Sequence, residues 1–127
     1  MIRRRLACAT EEAEQMALFE WAALTACVMP ELEALFHIPN GGKRGKAEAA
    51  RFQRMGVKRG VPDICLAVSR GGKHGLFIEL KRTEGGRLSP EQTQWLARLK
   101  DAGYEAVVCH GWDEARETIV RYLMQGE

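Results

Sequence analysis

The chain has 127 residues, 46% of them hydrophobic and 28% charged, with 19 Lys+Arg against 17 Asp+Glu for a net charge of +2. This is the length of one domain, spanning 1–127, with the composition of a packed globule rather than a disordered chain. No apolar run approaches the roughly 18–20 residues that span a bilayer, so no membrane partner is expected. The basic start (Arg3, Arg4, Arg5) leads into only four apolar residues, too few for a secretory leader, and a cytoplasmic protein is the expectation. Four cysteines (Cys8, Cys27, Cys65, Cys109) form no Cys-x-x-Cys, and the histidines lack metal-ligand spacing. They are read as buried free thiols.

In chain order, Thr10 is placed to cap a helix from about Glu11 to Val28, with Glu11 and Glu12 in the first turn where the helix dipole favours anions. Ala17, Leu18, Trp21, Leu24 and Val28 form its apolar stripe. Carried backwards, that stripe reaches Glu14 and then Glu11, which turns a carboxylate toward the core. Pro30 closes the helix, Leu35–Pro39 reads as a short strand, and Asn40-Gly41-Gly42 reads as a turn. A helix from Lys46 to Met55 follows, with Ala47 and Ala50 as its inner face and Gly56 ending it. The charge is segregated here. Residues 41–60 carry a net +6, while 1–40 and 83–127 each carry −3. Lys43, Arg44, Lys46, Arg51, Arg54, Lys58 and Arg59 supply that excess, and it fits either a solvated basic loop or a polyanion partner.

Asp63–Val68 and Leu76–Lys81 read as strands of one hairpin. In the second, Leu76, Ile78 and Leu80 alternate with Phe77, Glu79 and Lys81. Folding about Gly72 sets Asp63 opposite Lys81; a shift of two residues pairs Asp63 with Glu79 instead. Ser89-Pro90-Glu91-Gln92 carries the capping-box pattern of a helix with Trp95, Leu96, Leu99 and Ala102 buried, stopped by Gly103. Tyr104–Cys109 is a strand, and Asp113 caps a last helix burying Ala115, Ile119, Val120 and Leu123. The class is α/β, a mixed central sheet flanked by helices.

The chemistry concentrates at Pro62-Asp63, fifteen residues, then Glu79-Leu80-Lys81. Two carboxylates on one face of adjacent strands repel unless one is protonated or a cation bridges them. Oxygen donors suit Mg²⁺, which takes one or two carboxylates together with water and phosphate oxygens. Lys81 on the same face is placed to act on the nucleophile or on developing phosphate charge. An exposed ion-pair cluster is the plainer alternative, but the strand is otherwise apolar.

These residues resemble the PD-(D/E)xK nuclease motif. With Ile38–Gly42, the run Gly56–Asp63 and Leu88–Gln92, the chain is similar to the VRR-NUC subgroup from about Glu11 to Leu123. The resemblance implies a restriction-endonuclease-like core of one helix, three strands, a helix and a fourth strand, with the basic helix inserted between the first two strands. It implies a Mg²⁺- or Mn²⁺-dependent DNA endonuclease in which Asp63, Glu79 and the Leu80 carbonyl bind metal and Lys81 is catalytic. A further glutamate comes from the first helix, Glu14 first and Glu11 second. Gln92 matches a glutamine near the site and serves equally as a simple helix cap. The basic residues from Lys43 to Arg59 would meet the DNA backbone, giving affinity without sequence readout. Stand-alone members, of the kind carried by phages in bacterial cells, are expected to form homodimers and to cut branched DNA such as four-way junctions or flaps. The competing reading is a non-catalytic branched-DNA-binding module; a sequence-specific restriction-type enzyme would need base-reading groups beyond this core.

Overall fold

Thr10 caps the first helix, α1 (Glu11–Thr25), its hydroxyl accepting from the Ala13 amide at 3.1 Å. The computed structural model describes residues 8–39 and 45–127. After α1 come a short 3-10 turn (Pro30–Ala34), β1 (Leu35–His37), α2 (Lys46–Arg54), β2 (Ile64–Leu66) and β3 (Leu76–Lys81). The chain ends with α3 (Pro90–Asp101), β4 (Glu105–His110) and α4 (Trp112–Leu123). The four strands form one mixed sheet in the order β1-β2-β3-β4, antiparallel except for the parallel β3–β4 pair. The α/β class and the position of α2 between the first two strands agree with the sequence reading. No helix among the described residues is long and apolar enough to cross a membrane.

The sheet separates two apolar clusters. On one face Ile64 and Leu66 of β2 and Leu76, Ile78 and Leu80 of β3 pack with Leu18 and Ala22 of α1 and Ala115, Ile119 and Tyr122 of α4. On the other, Phe77, Ala106 and Val108 pack under Leu96, Leu99 and Trp95 of α3. The alternation expected for β3 holds, because successive side chains on a strand point to opposite faces.

Several local expectations are corrected. The register pairs Ile64 with Ile78 and Cys65 with Phe77, so continuing it one step sets Asp63 across from Glu79, not Lys81. The connection is two residues off the symmetric fold about Gly72, and β2 is only three residues long. α1 ends at Thr25 and buries Glu14, Leu18 and Ala22, a pure four-residue repeat, while Leu24 and Val28 are 80% and 75% exposed. Ala47 and Ala50 are also exposed, since α2 buries no residue. Ala102 is exposed at the end of α3, and Tyr122 is more deeply buried than Val120 in α4. Cys65 and Cys109 are buried, where desolvation raises both thiols, but Cys8 and Cys27 are exposed. Asn40-Gly41-Gly42 lies outside the described residues.

Asp113 does not cap α4. The cap is Gly111, at φ +90, and a Cβ there would stand 2.8 Å from Glu14 Oε2. Only glycine gives both that left-handed backbone and that close approach.

Candidate active site

The capping box at the start of α3 is where fold and site meet. Ser89 Oγ accepts from the Gln92 amide at 3.1 Å, and Gln92 Oε1 accepts from the Ser89 amide at 2.9 Å. This reciprocal pair fixes the Gln92 side chain as helices of this kind require. The same side chain also faces β3. Its Nε2 donates to Glu79 Oε1 at 2.5 Å, and its Oε1 accepts from Lys81 Nζ at 3.2 Å. Gln92 is thus both helix cap and site residue, the two roles that its sequence left open.

Glu79 is 2% exposed and Lys81 8%, an unusual depth for two charged residues on one strand. Asp63, half-buried at the entry to β2, accepts from the Leu80 amide through Oδ2 at 3.0 Å. Its backbone carbonyl is fixed by the Ile38 amide at 2.6 Å and by His37 Nδ1 at 2.9 Å. Burial is the larger cause that pushes the Glu79 carboxyl up to about 9, and the neighbouring Asp63 carboxyl adds to it, while Lys81 pulls the other way. Glu79 Oε2 is buried without any hydrogen-bond partner among the described residues. A buried polar oxygen with no partner carries a desolvation cost that a bound cation removes.

The donors available to such a cation are hard oxygens, those of Asp63 and Glu79. Two carboxylates fit Mg²⁺ or Mn²⁺, whose remaining positions are filled by water and phosphate oxygens. Among the described residues no group of three His, Cys, Asp or Glu side chains is arranged to hold a metal.

Glu14 is buried too, at 7% exposure, but it comes from α1 on the opposite side of the sheet. Its Oε2 accepts from the Trp112 amide at 3.3 Å, at the N-terminus of α4, where a helix favours negative charge. Gly111 beside it donates to the Lys81 carbonyl at 2.8 Å, so Glu14 stands at the site end of β3. No hydrogen bond among the described residues ties its carboxylate to Asp63 or Glu79. Glu11 is exposed in the first turn of α1.

The basic candidates divide. Lys46, Arg51 and Arg54 lie exposed on α2, and Lys58 and Arg59 lie exposed on the loop that leads to Asp63. Lys43 and Arg44 fall outside the described residues. Gly60, at φ +88, seats this loop against α3, since a Cβ there would be 2.5 Å from the Glu91 carbonyl carbon and 2.8 Å from the Gln92 nitrogen. Sequence reasoning missed the His37 contact with Asp63 and the Trp112 contact with Glu14. It also read Trp95 solely as core, although the ring borders a surface cleft. Of these, only the second had a usable signal, the glycine immediately before Trp112.

Comparison with known proteins gives a match to the VRR-NUC domain family over residues 10–113. A solved structure titled "VRR_NUC domain protein" is similar, with 32% identity and a TM-score of 0.80, covering 96% of this chain and 94% of that one. No curated protein matches.

Proposed function

Since the chain belongs to the VRR-NUC domain family, which implies a PD-(D/E)xK-type nuclease, we propose that it is a Mg²⁺- or Mn²⁺-dependent, structure-specific DNA endonuclease acting on branched DNA. The observation that carries this reading is the buried, unpartnered Glu79 Oε2 beside Asp63, with Lys81 and Gln92 bound to the same cluster. Asp63, Glu79 and the Leu80 carbonyl would hold the cation, while Glu14, bound to the Trp112 amide at the start of α4, would stand beside the site rather than among the ligands. When bound, the cation supplies Lewis-acid polarisation of the scissile phosphate and a more acidic water.

The remaining work falls to the chain's own groups. Lys81 Nζ, held by Gln92, is aimed at charge that develops on the phosphate or at the attacking water. Fixed donors in a dry site cost little reorganisation as charge grows. Gln92 keeps Lys81 and Glu79 in register through one amide. Lys46, Arg51, Arg54, Lys58 and Arg59 hold the backbone of the substrate by charge, as Lys43 and Arg44 also would. A homodimer belongs to this reading, because one site cuts one strand and a symmetric four-way junction needs two cuts; sedimentation of the purified protein tests it.

Cleavage of a defined four-way junction beside a flap and a plain duplex, titrated with Mg²⁺ and Mn²⁺, tests the activity. Asp63→Ala and Lys81→Ala are expected to abolish cleavage while the fold and much of the DNA binding survive. Full activity of either variant would sink the site assignment. Binding of branched DNA with no cleavage under any divalent ion would point instead to a non-catalytic module.

A further inference from the structure

Beside the site, an open cleft of about 290 Å³ is lined by Lys58, Arg59, Gln94, Trp95 and Arg98. Three cations meet there from two segments of chain, and none of the three pairs with a carboxylate among the described residues. Cations gathered this way repel one another unless an anion lies between them. We propose that the cleft binds a backbone phosphate of the nucleic-acid substrate, a few nucleotides from the scissile one.

The chemistry of the lining fits that ligand. The Arg98 guanidinium lies over the Trp95 ring, with its central carbon 5.2 Å from the ring centroid. A guanidinium in a cation–π contact keeps its N–H donors available for a phosphate. The ring is itself anchored, since Trp95 packs on the Leu96, Leu99 and Ala106 cluster. Arg98 is exposed on α3, and this contact with an anchored ring restricts where its guanidinium sits. Lys58 and Arg59 face it from the loop that Gly60 presses against the first turn of α3.

The distance to the chemistry is set by the helix. Gln92 contacts Glu79 and Lys81, Trp95 follows three residues later and Arg98 six residues later. At 1.5 Å of rise per residue, Arg98 lies about 9 Å along the axis from Gln92. That is short enough to place the cleft within a few phosphates of the scissile one. The cleft would fix the register of the strand while Lys81 and the two acids act on it. Arg98 and Lys58 are positioning residues in this scheme.

The inference rests on a nucleic-acid substrate, so its test separates binding from cleavage. Flap substrates carrying one uncharged methylphosphonate linkage at successive positions are bound by wild type, Arg98→Gln and Lys58→Ala in EDTA, then cut in Mg²⁺. A neutral linkage at one position within a few nucleotides of the cut should weaken wild-type binding about ten-fold, the cost of one charge-assisted hydrogen bond. The same linkage should cost Arg98→Gln almost nothing. Arg98→Gln should also lower the salt slope of binding by about one, and raise KM for cleavage more than it lowers kcat. Equal penalties in wild type and both variants overturn the cleft alone. If wild type binds the flap without cutting it, the nuclease reading falls, and coupling between Arg98→Gln and one neutral linkage still decides the cleft. Failure to bind any DNA overturns both.

Discussion

The two faces of β3 are built from one six-residue strand and do opposite things. Leu76, Ile78 and Leu80 turn into an apolar cluster closed by α1 and α4. Phe77, Glu79 and Lys81 turn toward α3, and only the first meets an apolar partner. Near the start of the strand the α3 face is core, and near its end it is a buried polar cluster. The apolar face therefore supplies the free energy, at roughly 25 cal/mol per Å² of apolar surface removed from water. The polar face draws on it to hold two charged residues at a depth they rarely occupy. Stability and chemistry are separated by the strand's two-residue period.

The sharpest way to break that contrast is Glu79→Gln. If Glu79 helps hold the cation as proposed, its loss should lower cleavage by about 10³-fold, the upper range for removing one group aimed at the transition state. The same change should alter stability in the other direction. A carboxyl held at about 9 when folded and at 4.5 when unfolded keeps its proton in the folded state throughout that window. Unfolding then releases a proton, so in chelator the protein loses stability as pH rises from about 4.5 to about 9, by at most about 1.4 kcal/mol per pH unit. Urea melts from pH 5 to 9 should show that slope in wild type and lose it in Glu79→Gln. An equal slope in the variant would assign the effect to another group.

Leu76→Ala tests the opposite face of the same strand. Leu76 is fully buried, and truncation should cost about 2–5 kcal/mol of folding stability. Cleavage below the lowered melting point should stay within about two-fold, because two residues and the plane of the sheet separate it from Glu79. A large loss of kcat with the fold intact would show that the two faces are coupled after all.

Gln92→Ala lies between these extremes, since one side chain serves both helix and site. Loss of a residue that orients metal ligands typically costs about 10–100-fold in metal affinity or activity. The lost half of the capping box adds about 1 kcal/mol to the stability cost. Melting curves and Mg²⁺ titrations of cleavage on the same preparation separate the two. Gln92→Glu keeps the cap and should not restore activity, as a carboxylate cannot donate to Glu79.

What the sequence disclosed follows the range of the interactions involved. The capping box, the strand alternation and the grouping of Asp63, Glu79 and Lys81 depend on residues close in the chain or in one hairpin. They were readable, apart from a two-residue shift in register. The Glu14–Trp112 contact spans 98 positions and left only Gly111 as a trace. Gln92 shows the middle case, where a local cap pattern is visible but the reach to Glu79 depends on how α3 lands on the sheet. The buried stripe of α1 departs from the hydrophobic pattern for a related reason. Hydrophobic spacing identifies a face, but which part of it is covered depends on where the sheet stops.

Leu24 and Val28 are the exposed continuation of that stripe, past Leu18 and Ala22, and they set the smallest expected effect. If α1 overhangs the sheet, Leu24→Ser changes the stability of the folded chain by less than about 0.5 kcal/mol, as at most surface positions away from special features. Leu18→Ser, six residues earlier and fully buried, leaves a hydroxyl without a partner in the apolar cluster and should cost several-fold more. Urea denaturation of the pair, measured at several protein concentrations, compares covered and uncovered ends of a single helix. A Leu24→Ser cost that grows with protein concentration would mean that another copy of the chain covers this end, whereas a constant small cost leaves it facing water.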